Sequence, residues 1–289
     1  MLCIVGTIPV EDFPLIEGEV EINGERLRVG TSLITVNRGT PALLAAAAKT
    51  AEALGKPLPF ACLVGDTGKG GGSRLLYERM AGLLPENRFQ TLAFHYIQPI
   101  VHWHDKIQEI IAALTPRPIT VADAGFMYVA KMAGQASRYD LFTPDVGELA
   151  YLADEQAPHP FYTRGFILHE DNRVPDLIAR AYKNNNAPRY LLVKGVTDYL
   201  ADKTGILETV DSPSEEAMEA IGGTGDTLTG IVSVLIDAGM PITEASVAAM
   251  KINRLAGRCA KPTPATQIME IIKYIPKALR EALQGEIAK

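Results

Sequence analysis

Cysteine is scarce in this chain: Cys3, Cys62 and Cys259 are the three among 289 residues. They are scattered and odd in number, which excludes a disulfide framework and any cysteine-based metal spacing. Each reads as a small apolar core residue. Clustered positive charge is also missing. The net charge is −6, the sequence pI is about 5.5, and no basic block or stripe occurs. A nucleic-acid partner is therefore not expected. The opening Met-Leu-Cys-Ile-Val-Gly lacks the basic region and length of a signal peptide, and no apolar run is long enough to span a bilayer. The expectation is a soluble cytoplasmic protein with no membrane partner. Internal repeats, low-complexity tracts and linkers are absent, so residues 1–289 are read as one domain. At 47% hydrophobic residues the chain can bury one large core or two small ones.

What is present centres on Ile221-Gly-Gly-Thr-Gly-Asp-Thr-Leu-Thr-Gly230, which leads into an apolar helical run over 228–238. Glycine lets another molecule approach the main chain closely. The unpaired N–H groups of a helix start, with the helix dipole, make an anion hole that suits phosphate. Asp226 stands at its mouth. The dipole keeps its carboxylate ionised, ready to accept a hydroxyl proton during attack on phosphorus. The bland reading makes Asp226 a helix cap in a glycine-rich turn.

Around that motif, strands are expected at 2–5, 31–37, 59–64, 89–97, 119–122, 139–142 and 190–193. A short antiparallel pair is expected at 197–201 and 206–210. Helices are expected at 42–54, 73–84, 105–114, 127–136, 149–153, 175–185 and 241–259, and from about 265 with an interruption at Pro276. Thr40 is read as the cap of the 42–54 helix and Pro41 as its first-turn proline. That helix is apolar on all sides and so buried. Residues 154–172 lack periodicity and read as an excursion. Residues 19–29 read as a hairpin on an Asn23-Gly24 type I′ turn. That register pairs Ile22 with Glu25, Val20 with Leu27, Glu21 with Arg26 and Glu19 with Arg28. The hairpin is a lid, an oligomer contact or a plain sheet edge.

Strands alternating with helices imply an α/β fold with a mostly parallel central sheet and helices on both faces. Such sheets bind ligands at the C-terminal ends of their strands. Asp123, Asp145, Glu148, Lys194 and Asp226 all fall just after expected strands or in the loops that follow them. The Gly65-Asp-Thr-Gly-Lys-Gly-Gly-Gly72 stretch resembles a Walker loop in composition only, without its Gly-Lys-Ser/Thr spacing, and reads as a flexible surface loop. His95, His102 and His104 straddle Pro99 and are not read as a metal site.

These motifs resemble the ribokinase-like superfamily, and most of all its ADP/ATP-dependent NAD(P)H-hydrate dehydratases, here without their usual fused epimerase domain. The resemblance is carried by the 221–230 run, Lys194-Gly195 after a strand, Asp123-Ala124, Thr143-Pro144 and Gly147-Glu148. It is strongest over 119–260. Asp145 departs from it: dehydratases usually have histidine there, and many kinases of the superfamily asparagine. Arg38-Gly39 and Val64-Gly65-Asp66 look more like the sugar-kinase pattern.

The resemblance implies a three-layer ribokinase-like sandwich with Asp226 as catalytic base. It implies Lys194, Gly222, Gly223, Thr224 and Gly225 around the nucleotide phosphates, and Asp123, Asp145 and Glu148 near substrate or metal. Glu148 would orient Mg²⁺ or its water. ADP or ATP with Mg²⁺ would phosphorylate hydrated NAD(P)H, which then expels phosphate. A sugar or vitamin-precursor kinase using ATP shares the first step and stays open, as does a non-catalytic nucleotide-binding protein. A homo-oligomer is expected.

Overall fold

A computed structural model of the chain describes residues 1–157 and 173–287. The 154–172 excursion thus lies outside the described residues from 158 onward. In chain order the strands are β1 (Leu2–Ile8), β2 (Ile16–Asn23), β3 (Arg26–Val29), β4 (Ser32–Thr35), β5 (Phe60–Gly65), β6 (Thr91–His95), β7 (Ile119–Ala122), β8 (Leu141–Phe142), β9 (Tyr190–Val193), β10 (Asp198–Asp202) and β11 (Gly205–Val210). They form one sheet in the order β11-β10-β9-β8-β7-β6-β1-β5-β2-β3-β4. The run from β9 to β5 is parallel, and antiparallel strands close both edges.

The helices are α1 (Thr40–Leu54), α2 (Gly71–Glu86), α3 (Val101–Ala113), α4 (Gly125–Met132), α5 (Val146–Ala153), α6 (Val174–Lys183), α7 (Thr224–Asp237), α8 (Ile242–Ala260), α9 (Ile268–Ile272) and α10 (Ile275–Ile287). Successive strand residues point to opposite faces, and the two cores follow that alternation. Leu2, Ile4, Ala61, Leu63 and Leu192 pack beneath α1 and α7–α10, whereas Cys3, Val5, Cys62, Val64 and Leu191 pack beneath α2–α6. The result is a three-layer α/β sandwich, as the motifs implied. None of the described helices is long and apolar enough to cross a membrane.

Helix α1 is buried along Thr40–Ala48, and its alanines let α7 pack close. A Cβ added at Gly230 of α7 would lie 2.3 Å from the Leu43 carbonyl oxygen, so this crossing requires glycine. Thr40 is not the cap of α1. Gly39 occupies that position at φ 67°, without a side-chain cap, and the Thr40 hydroxyl turns elsewhere.

The hairpin forms with another register. Its two-residue loop is Gly24-Glu25, with Asn23 opposite Arg26, Ile22 opposite Leu27, Glu21 opposite Arg28 and Val20 opposite Val29. Val20, Leu27 and Val29 share one face in either register, but the shift sets Ile22 opposite Leu27 and Val20 opposite Val29, apolar pairs in place of Ile22 opposite Glu25, which outweighs the Asn-Gly turn preference. The first half of β2 pairs with β5, so the hairpin extends the central sheet.

The 65–72 loop is tied down, against the expectation of a flexible one. The buried Asp66 carboxylate accepts from the amides of Gly68 (2.9 Å), Gly70 (3.0 Å) and Ser73 (2.8 Å), and from the Ser73 hydroxyl (2.7 Å). A side-chain anion already fills the cradle that a Walker loop offers to phosphate.

Candidate active site

The ends of four parallel strands, β6, β7, β8 and β9, and the start of α7 converge on one cavity of about 670 Å³. Asp123, Asp145, Glu148, Lys194, Gly223, Thr224, Gly225 and Asp226 all line it. Gly222 does not. It faces Arg38, whose Cδ would lie 3.4 Å from a Cβ at that position.

Helix α7 begins at Thr224, earlier than the apolar run suggested, after Gly223 at φ 102°. Asp226 is therefore a first-turn residue and caps nothing. Its Oδ2 accepts from the Gly39 amide at 2.6 Å, and its Oδ1 lies 3.1 Å from His95 Nε2. Burial works to raise the Asp226 carboxyl. The hydrogen bond from His95, with Lys194 and the Gly39 amide, outweighs it and holds the group below the usual carboxylate range. Asp226 is thus ionised at neutral pH beside the free amides of the helix start.

Asp123 closes β7 and is fully buried. Its carboxylate accepts from Lys194 Nζ, from the Thr229 hydroxyl at 2.6 Å and from the Ala124 amide at 2.8 Å. Burial opposes the charge on Lys194, but Asp123, Glu148 and Asp226 raise its pKa above the ordinary lysine value. Lys194 also stands against Gly225, 3.6 Å from where a Cβ would be. It borders the anion hole while paired to a carboxylate.

Asp145 and Glu148 form a reciprocal capping box on α5. Glu148 N–H donates to Asp145 Oδ1 at 2.7 Å, and Asp145 N–H donates to Glu148 Oε2 at 2.9 Å. Tyr128 OH donates to the other Glu148 oxygen at 3.1 Å. Burial and then the Asp123 charge push Glu148 up to about 8, with Lys194 opposing. Asp145 and Glu148 at the cavity wall would hold a water-bridged Mg²⁺, whose charge would draw off the proton that burial favours on Glu148. His95, Asp123 and Asp226 also bring one ligand atom each within 4.8 Å of one another. There the Lys194 ammonium, 2.8 Å from Asp123, already supplies the positive charge. Within the trio His95 hydrogen-bonds Asp226, while Asp123 stands 3.8 Å from the same His95 nitrogen and bonds Lys194 instead.

The sequence reading missed His95, Gly39, Thr40 and Tyr96. His95 ends β6 as Asp123 ends β7, and that strand-end position was the available signal. Tyr96 follows at φ 54° and Ala124 at φ 44°, left-handed conformations uncommon outside glycine that flank the cavity. His102 and His104 lie within α3, away from it. The opposite wall is fixed by Arg254 of α8. It binds Asp198 at 2.7 Å and donates to the carbonyls of Gly195 (3.0 Å) and Val196 (2.8 Å).

This architecture matches solved ribokinase-like structures. Bacillus subtilis YxkO aligns with 97% of this chain and 92% of its own, at a TM-score of 0.56 and 14% identity, a likeness of fold. The fold and the strand-end site thus define a ribokinase-like α/β protein. The family model for NAD(P)H-hydrate dehydratase matches residues 99–277, and the chain belongs to that family. An uncharacterized protein of Methanocaldococcus jannaschii is 45% identical over 84% of this chain and 100% of its own. An ADP-dependent (S)-NAD(P)H-hydrate dehydratase of Cenarchaeum symbiosum is 25% identical over 60% of this chain and 56% of its own.

Proposed function

We propose that the chain is an ADP- or ATP-dependent NAD(P)H-hydrate dehydratase. The observation that carries this is Asp226, an ionised carboxylate free of its own helix's capping, in the first turn of an amide-rich helix start. In this reading the hydroxyl oxygen of the hydrated nicotinamide ring attacks the terminal phosphorus of the nucleotide. Asp226 takes the hydroxyl proton. The amides of Gly223, Thr224 and Gly225 stabilise the charge on the transferring phosphoryl group, with Lys194 beside them. The ring nitrogen lone pair then expels phosphate, and loss of a ring proton restores NAD(P)H. Mg²⁺ held by Asp145 and Glu148 through water would neutralise phosphate charge.

A second reading, phosphorylation of a stable acceptor hydroxyl, is favoured by Arg38-Gly39 and Val64-Gly65-Asp66, which look more like the sugar-kinase pattern, while Asp145 matches neither the histidine of dehydratases nor the asparagine of many kinases. One experiment separates them. Hydrated NADH is mixed with protein, Mg²⁺ and ADP or ATP, and the reduced-nicotinamide absorbance and free phosphate are followed. The dehydratase reading expects both to rise in equal amounts. A flat absorbance with a stable phosphoester formed from an added sugar or vitamin precursor supports the kinase reading.

A further inference from the structure

We propose that His95 is the positioning residue for Asp226 and that Thr40 sets which of its nitrogens carries the proton. This rests on the reading of Asp226 as the proton acceptor.

His95 is fully buried at the end of β6. Its Nε2 lies 3.1 Å from Asp226 Oδ1, and its Nδ1 lies 2.9 Å from the buried Thr40 hydroxyl. An ionised carboxylate can only accept, so Nε2 must carry a hydrogen. Among the described residues the Thr40 hydroxyl faces the other nitrogen and no further partner, so its proton satisfies the Nδ1 lone pair. The imidazole is then neutral and donates to Asp226. The second carboxylate oxygen takes the Gly39 amide at 2.6 Å. Both oxygens are therefore held, one by residue 39 directly and one by residue 40 through His95. This fixes rotation of the carboxylate and aims its remaining lone pairs at the incoming hydroxyl, as a general base requires.

Gly39, Thr40 and His95 all precede residue 99, where the family match begins. The family's glycine-rich motif is thus oriented by the N-terminal third of this chain. The carboxylate does not depend on its own helix for orientation, because α7 has no side-chain cap.

The test combines histidine ¹⁵N NMR with kinetics on the full chain. In the wild type, His95 is expected as the neutral tautomer with hydrogen on Nε2, and Thr40→Val should perturb that signal. With NADH hydrate and Mg-ADP or Mg-ATP, His95→Leu should lower kcat by about 10²-fold, the scale of a misplaced catalytic group. KM and nucleotide affinity should stay unchanged. His95→Gln, which keeps a donor, should recover most of the loss, and Thr40→Val should lower kcat in the same direction. The proposal is overturned by hydrogen on Nδ1 alone in the wild type. It is equally overturned by unchanged kcat in His95→Leu, or by His95→Gln faring no better than His95→Leu. If His95→Leu does not fold, Thr40→Val decides. If the wild type restores no NADH, the dehydratase reading fails, and the tautomer in wild type and Thr40→Val decides the role of His95.

Discussion

Lys194 Nζ lies 2.8 Å from Asp123 Oδ2 and 3.0 Å from Oδ1, which ties the end of β9 to the end of β7 across β8. The cation assigned to phosphate is thus also the counter-ion of a buried carboxylate. Lys194→Ala leaves Asp123 buried and unpaired, and removing one partner of such a pair costs about 3–5 kcal/mol. Denaturant titration should show that loss. The double variant Lys194→Met with Asp123→Asn should recover most of the stability and none of the nucleotide affinity.

Nucleotide binding itself should be visible as stabilisation. Mg-ADP or Mg-ATP at about 100 times its dissociation constant should add roughly 2.7 kcal/mol. Removing the metal with a chelator should cut the melting shift. Among the described residues eight carboxyl groups line the cavity, Glu148 with its pKa pushed up to about 8 among them, against two basic side chains that are already paired to carboxylates, so free nucleotide anions enter an unfavourable field.

Gly230→Ala tests the packing. The new methyl would meet the Leu43 carbonyl at 2.3 Å and Ala46 Cβ at 3.2 Å, so α1 and α7 must separate. Overpacking of this kind costs about 1–3 kcal/mol, read as a lowered denaturation midpoint. Because α7 carries Asp226 and the turn before α1 carries Gly39, kcat should fall as well.

His104 supplies a pH signature unrelated to chemistry. Burial pushes its pKa from 6.5 down to about 4, with Asp105 opposing. Its folded pKa is depressed, so the unfolded chain binds the extra proton between those values. Stability is unaffected above about 6.5 and falls as pH drops towards 4, by up to roughly 3 kcal/mol from this one group. In His104→Phe that part of the acid dependence should disappear, although the bond to Tyr139 OH at 2.8 Å is also lost.

The parallel sheet was legible because its strands are apolar runs bounded by turn residues, as at 119–122 and 190–193. Once the sheet is parallel, Asp123, Asp145 and Lys194 must gather at one end. What was hidden depends on contacts between distant segments. His95 and Asp226 are 131 residues apart, and no local pattern marks a strand-end histidine that serves a helix start. Thr40 looked like a helix cap because threonine usually is one there, but the buried imidazole competes for its hydroxyl. Asn23-Gly24 suggested one hairpin register, and burial of Val29 opposite Val20 selected another. Asp66 looked like part of a loose glycine loop because its amide partners come together only after the chain turns.

The central claim is that Asp226 is the proton acceptor of a phosphoryl-transfer site, and Asp226→Asn tests it most directly. Asparagine keeps the shape but sets an NH₂ against one of two donors, the Gly39 amide or His95. A stability loss of about 1–3 kcal/mol is expected, well short of unfolding. Single-turnover kinetics and calorimetry with Mg-ADP or Mg-ATP should show a chemical step slowed at least about 10²-fold, at the low end of what a general base contributes. Nucleotide affinity should be equal or tighter. A folded variant that binds nucleotide and turns over at the wild-type rate would contradict the account.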